Sequence, residues 1–170
     1  FHLLTHTAGI RGGTLGWRAM SWEEAIGRVC ATKPEPRWIP GMKAGYHVDN
    51  AWYMLGELVR VLDGRPYSDF VRDEIFLPLD MPNCWVGMPD DVYEAYEEQI
   101  AWIYDCSGEA PEISDILCRR EAVTACRPGG NGRGPAEEFL RFYQAMSRMA
   151  AVAGYVAQIQ QDNLLDVHNW

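Results

Sequence analysis

The sequence lacks the features that mark several classes of protein. No uninterrupted apolar run approaches the ~20 residues that a helix needs to cross a bilayer. There is no excess of positive charge either, since the formal net charge is -9 at pH 7 and the basic residues are scattered. Nucleic acids and anionic membrane surfaces are bound through basic faces. We therefore expect no nucleic acid among the partners and no membrane span.

The cysteines form neither a zinc-site pattern nor a disulfide framework. Their number is odd and no C-x-x-C occurs, the five being Cys30, Cys84, Cys106, Cys118 and Cys126. We expect reduced, packed thiols. Unpaired thiols favour a reducing compartment such as the cytoplasm, and the periplasm stays open as the alternative.

Two histidines near the start have the spacing of metal ligands on a helix. His2 and His6 are four residues apart, but the Glu of H-E-x-x-H is absent. Thr5, Thr7 and Gly9 favour a loop here rather than a helix. We expect no metal and no other cofactor.

The motifs of a serine nucleophile are also missing. The sequence contains neither G-x-S-x-G nor S-x-x-K, and no K-T-G or H-T-G follows residue 46. A serine without a neighbouring base is a weak nucleophile. The chain begins at Phe1 rather than Met, and we expect it to be an internal piece of a longer protein.

What is present is an ordinary globular composition with one conspicuous stretch, residues 40–81. Tyr46 and His47 lie there on a glycine-bearing turn, ahead of a helix that we expect to be largely buried and to end at Gly64. Asp49 or Asn50 is the expected N-cap of this helix. Its apolar residues are Ala51, Trp52, Met54, Leu55, Leu58, Val59 and Leu62, and Gly56 among them indicates a close contact.

Shorter elements are predicted on either side of this stretch. Ser21 and Glu24 form a capping box that begins a helix, and Pro66 begins another after Gly64. Further along we expect a strand at 84–88, a helix at 90–96, a short helix at 113–120 and turns at 127–135. The apolar run at 100–104 favours a buried strand, and its period alone leaves a helix open. A last helix from Pro135 carries Phe139, Leu140, Tyr143 and Met146 on one face.

The Tyr46-His47 pair is the one suggestive group. A tyrosine hydroxyl near a lysine ammonium can serve as a general base, and a histidine can relay protons near neutral pH. The alternative is structural, with Tyr46 capping a turn and His47 donating to a backbone carbonyl.

Three segments resemble, in order, a known family. HLLTHTAGI resembles the H-L-L-x-H-T-S/A-G-[LI] segment of serine β-lactamase-related hydrolases, which include class C β-lactamases, DD-peptidases and esterases. Residues 40–81 resemble the family segment that begins P-G-x-x-x-x-Y-S-N and ends P-L-G-M, and residues 126–146 resemble its later G-G-x-x-S-T-A-x-D-L-x-[RK]-F segment.

The resemblance implies a fold and a partial site. It implies an α/β fold of the β-lactamase/transpeptidase type, with residues 1–146 forming part of it, mostly the helical subdomain with a few short strands, and 147–170 an unassigned tail. Tyr46 matches the tyrosine that assists proton transfer. His47 replaces the usual Ser or Ala and is a second candidate, while Val48 stands where the family has Asn, so recognition of an amide by that residue is lost.

Two functions follow from the resemblance. The first is part of a serine hydrolase that acts on a small ester or amide through an acyl-enzyme, with its nucleophile outside these 170 residues. The alternative is a non-catalytic binding or cell-wall-associated module that kept the fold. An unrelated helical interaction protein would require three ordered matches by chance. The sequence leaves the oligomeric state open.

Overall fold

A computed structural model describes residues 1–11, 15, 20–47 and 49–167, with side chains through residue 151 and at residue 153. The helices are α1 (Trp22–Cys30), α2 (Asn50–Asp63), α3 (Tyr67–Val71), α4 (Asp90–Tyr96), α5 (Arg120–Thr124) and α6 (Ala136–Val167). A π-helical turn (Arg72–Phe76) continues α3, and a 3-10 turn (Glu97–Gln99) follows α4. The strands are β1 (Trp85–Val86), β2 (Tyr104–Asp105), β3 (Glu112–Ile113) and β4 (Gly132–Arg133).

The strands form two antiparallel pairs. In one, β1 pairs with β4, with Trp85 opposite Arg133 and Val86 opposite Gly132. In the other, β2 pairs with β3. This helix-rich arrangement with few short strands confirms the expected architecture.

Local signals correctly predicted the start of α1 and the end of α2. Both bonds of the Ser21–Glu24 capping box are present at the start of α1. Gly64 ends α2 with a φ of 91°, in the left-handed region that glycine enters without a Cβ penalty. Asp49 occupies the N-cap position of α2, but its carboxylate accepts the Leu15 backbone N–H at 3.0 Å instead of a first-turn amide.

Three small apolar clusters hold the elements together. The first joins α1 to α2 through Ala25, Val29 and Tyr53. The second joins α3 and the π-helical turn to the start of α6, and the third joins α4 to α5. The cluster members are Leu15, Ala25, Val29 and Tyr53; Val71, Phe76, Met81 and Cys84; and Met88, Tyr93 and Val123.

Gly56 confirms the close contact expected within α2. A Cβ at this position would lie 2.9 Å from a ring carbon of Trp22 and 3.0 Å from Cγ of Pro128. The glycine therefore lets α1 and the loop after α5 approach the same turn of α2.

Several expectations about burial are wrong. The C-terminal half of α2 is exposed, with Leu62 at 85% of its full accessibility, because no described element packs over Leu58, Val61 and Leu62. Residues 100–104 are not a buried strand, since Trp102 is 60% exposed and only Tyr104 pairs.

The later helices also differ from prediction. The helix expected at 113–120 instead begins at Arg120. On α6 the packed residues are Phe139 and Phe142, whereas Leu140, Tyr143 and Met146 are exposed. The helix continues without interruption to Val167.

The five cysteines are free, as expected, but not all are packed. Cys84 is buried, and burial raises its pKa to about 12. Burial likewise raises the pKa of Cys126 to about 12. Cys30 and Cys106 are exposed, contrary to the expectation of packed thiols. No helix among the residues described is long and apolar enough to cross a membrane.

Candidate active site

Tyr46 and His47 lie on the segment that leads into α2, and their side chains differ sharply in exposure. Tyr46 keeps 61% of its accessible surface, whereas His47 has none. Solvent can therefore reach Tyr46 but not His47.

The first ten residues run beside this segment and hold it. The backbone N–H of Gly45 donates to the His6 carbonyl at 3.0 Å, and that of Gly41 donates to the Thr7 carbonyl at 3.2 Å. The Trp38 indole N–H also donates to the Thr7 carbonyl, at 2.9 Å. Two of the three segments that carried the resemblance are thus in direct contact.

His47 accepts a hydrogen bond within this contact. Its Nε2 accepts the Ile10 backbone N–H at 3.0 Å, which requires that nitrogen to carry no proton. Burial is the main cause that lowers the pKa of His47 and favours the neutral ring. The Gly45 backbone acts on this pKa in the opposite direction, and the nearby charge of Arg11 adds to the lowering.

His6 is the residue at this site to which the sequence assigned no role. Its ring meets the Tyr46 ring edge-on, with 4.9 Å between centroids, and stacks on the His47 ring at 5.6 Å. Trp52 contacts it edge-on from α2 at 5.6 Å. The signal in the sequence was a histidine in each of two matching segments, but the 41 positions between them hid the contact.

The Asn50 side chain points into the protein. It is buried, and its Nδ2 donates to the Ile10 carbonyl at 2.8 Å and lies 3.3 Å from Thr32 Oγ1. Asn50 therefore ties α2 to the first segment and is not presented beside Tyr46 in place of the family's Asn. Val48, which stands at that family position, lies outside the described residues.

Charged groups surround the indole of Trp38. The Arg11 guanidinium lies 5.3 Å from the ring centroid and the Lys43 ammonium 4.8 Å from it. Arg11 also pairs with Glu35 at 2.5 Å, which lowers the pKa of the Glu35 carboxyl and raises that of Arg11. A Cβ on Gly9 would lie 2.3 Å from Trp38 Cδ1, so glycine is needed where the first segment crosses the indole.

The serine hydroxyls that form hydrogen bonds in the described part of the chain serve local structure. They bond to backbone or neighbouring groups of their own turns, as seen for Ser21, Ser68, Ser114 and Ser147. The described residues contain no cluster of three His, Cys, Asp or Glu side chains able to hold a metal ion. The candidate site therefore consists of Tyr46 and the residues that fix its backbone.

Comparison with protein-family models identifies the family of the chain. A sequence model of the family described as Beta-lactamase matches residues 1–166. The chain belongs to the beta-lactamase family. Family membership confirms the resemblance and the β-lactamase/transpeptidase-like fold. A search of curated proteins gives no significant match.

Solved structures share the fold at low sequence identity. A penicillin-binding protein homolog from Caulobacter crescentus is 23% identical with a TM-score of 0.61, covering 82% of this chain and 40% of that one. D-amino acid amidase from Ochrobactrum anthropi SV3, complexed with L-phenylalanine, is 19% identical with a TM-score of 0.60, covering 86% of this chain and 41% of that one.

A fungal protein gives a similar match. Simvastatin synthase (LovD) from Aspergillus terreus is 17% identical with a TM-score of 0.60, covering 83% of this chain and 36% of that one. The chain therefore spans about two fifths of the length of the solved structures it matches.

Proposed function

We propose that this chain is part of a serine hydrolase of the beta-lactamase family that cleaves small esters or amides through an acyl-enzyme. Tyr46 is the proton-transfer group in this proposal, and the serine and lysine of S-x-x-K are supplied from outside the 170 residues. The observation that carries it is an exposed tyrosine on a backbone fixed on both sides, at the position that matches the family's catalytic tyrosine.

The role of Tyr46 in this chemistry is to move a proton. The serine hydroxyl must lose its proton as its oxygen forms a bond to the substrate carbonyl carbon, and the leaving alcohol or amine must gain one as its bond breaks. A tyrosine phenolate beside the nucleophile can accept the first proton, and the phenol so formed can return it to the leaving group. The 170 residues alone would bind no acyl group because they contain no S-x-x-K.

His47 has a supporting role in the proposal. Its ring has no accessible surface, and Nε2 is already engaged by the Ile10 backbone N–H. A substrate cannot reach a ring so enclosed, so we propose that His47 positions the loop and takes no proton from the substrate.

The test replaces the Tyr46 hydroxyl in the gene product that carries the nucleophile. Tyr46→Phe should lower kcat for an activated ester or amide by about 10²- to 10⁴-fold, the range for loss of a general acid–base group. Tyr143→Phe is the matched control, because Tyr143 is as exposed but lies on α6 away from the site. A rate unchanged in Tyr46→Phe would remove Tyr46 from the mechanism.

A second candidate function is a binding module without catalysis. It is favoured by Val48 at the family's Asn position and by the inward side chain of Asn50. A fluorophosphonate or penicillin probe separates the two, because only an activated serine is modified covalently. Covalent labelling of the gene product excludes the binding module, and its absence, together with no S-x-x-K in the preceding sequence, excludes the hydrolase.

A further inference from the structure

His6 holds the backbone on both sides of Tyr46. The N–H of Gly45, the residue before Tyr46, donates to the His6 carbonyl at 3.0 Å. The N–H of His47, the residue after it, donates to His6 Nδ1 at 3.3 Å. One residue thus receives the hydrogen bonds of both neighbours of the tyrosine.

The His6 ring also supports the phenol itself. Tyr46 is mostly exposed, yet its ring meets the edge of the His6 imidazole at 4.9 Å and an interplanar angle of 65°. The imidazole is held from the other sides by the stacked ring of His47 and the edge of Trp52. The packing of edge-to-face aromatic pairs favours one ring orientation over free rotation.

The backbone of His6 is in an unfavourable conformation that this arrangement explains. Its φ is +53°, a left-handed value that side chains with a Cβ rarely adopt. Such conformations persist where the surroundings over-determine them, and they cluster at functional sites. Here the left-handed turn lets the carbonyl and the Nδ1 of one residue face residues 45–47.

We propose that His6 is the positioning residue of Tyr46, fixing the phenol where it can exchange a proton with the nucleophile. The inference rests on the proposed role of Tyr46 in proton transfer. His6 does so through its Nδ1, which accepts the His47 N–H. In this proposal His6 affects the reaction only by positioning Tyr46 and makes no contact with the substrate.

Two substitutions at His6 distinguish the contribution of the Nδ1 acceptor from that of the ring. His6→Phe keeps a ring beside Tyr46 but removes the Nδ1 acceptor from a residue in a left-handed turn. His6→Asn tolerates that turn and offers Oδ1 close to the place of Nδ1. The matched control is His2→Phe, because His2 is exposed and bonds to Thr7.

The first measurement is structural and needs no activity. In the 170-residue chain, the Tyr46 ring resonances in a ¹H–¹³C NMR spectrum are identified by their loss in Tyr46→Phe. His6→Phe should shift or broaden them and leave the Tyr143 resonances in place, whereas His2→Phe should leave both unchanged. If His6→Phe does not fold, the ¹⁵N shift of His6 Nδ1 in the wild type still decides, because a protonated Nδ1 contradicts the proposal.

The second measurement is kinetic, on the gene product that carries the nucleophile. His6→Phe should lower kcat by about 10- to 100-fold with KM within about twofold, the effect of a misplaced group. His6→Asn should lower kcat less than His6→Phe does, because it keeps an acceptor for the His47 N–H and tolerates the left-handed turn but loses the ring beside Tyr46. An unchanged kcat in His6→Phe beside a large loss in Tyr46→Phe refutes the positioning role alone. An unchanged kcat in Tyr46→Phe refutes the proposed function. The NMR result then still shows whether His6 fixes the Tyr46 ring.

Discussion

Acid should weaken the contact between the first segment and the Tyr46 segment through His47. Burial holds the pKa of His47 below its ordinary value of about 6.5, so the unfolded chain binds a proton that the folded chain does not. Stability therefore rises with pH in this window, is complete above about pH 6.5 and is lost as the pH falls toward the folded pKa. The groups that face His47 are His6, Arg11 and Glu35.

The size of this effect has an upper limit. For a group with an unfolded pKa of about 6.5 that stays neutral when folded, lowering the pH from about 7.5 to about 5.5 removes at most about 1.4 kcal/mol. His47→Gln is the informative substitution, because Oε1 can accept the Ile10 N–H in place of Nε2 and does not titrate.

Urea unfolding at the two pH values measures the effect. The free energy of unfolding of the wild type should fall more between them than that of His47→Gln, by up to the limit above. The control is His2→Gln, which removes an exposed histidine and should keep the wild-type pH dependence. Equal pH dependence in wild type and His47→Gln would refute a buried, neutral His47.

Two further substitutions test the packing around the site. Gly56→Ala should destabilise the chain by about 1–3 kcal/mol, because the new methyl group meets Trp22. Gly27→Ala, on the open face of α1, should instead stabilise the chain by up to about 1 kcal/mol. Thermal denaturation compares the two variants. Asn50→Ala leaves the Ile10 carbonyl without its donor and should lower the free energy of unfolding by about 1–3 kcal/mol in urea titrations, and no change would contradict the tie between α2 and the first segment.

The sequence predicted those features that are set by neighbours along the chain. The capping box at Ser21 and the glycine end at Gly64 depend on a few adjacent residues and were predicted correctly. The contact at Gly56 was predictable because a glycine inside a helix costs about 1 kcal/mol relative to Ala, which close packing offsets. Motif order along the chain was enough to predict the family.

What depends on distant packing could not be predicted. The apolar runs at Leu58–Leu62 and 100–104 look buried by pattern, but exposure depends on which elements cover them. The cluster of His6, Tyr46 and His47 brings together rings 40 positions apart, and no local period signals it. The left-handed turn at His6 is held by hydrogen bonds from residues that are distant along the chain.

The account depends most on Tyr46 acting in proton transfer to and from a serine nucleophile. Single-turnover acylation of the gene product by a chromogenic ester measures that step apart from binding and product release. The account predicts that Tyr46→Phe acylates at least about 100-fold more slowly than the wild type, while Tyr143→Phe acylates at the wild-type rate. Equal acylation rates in the three proteins would contradict it.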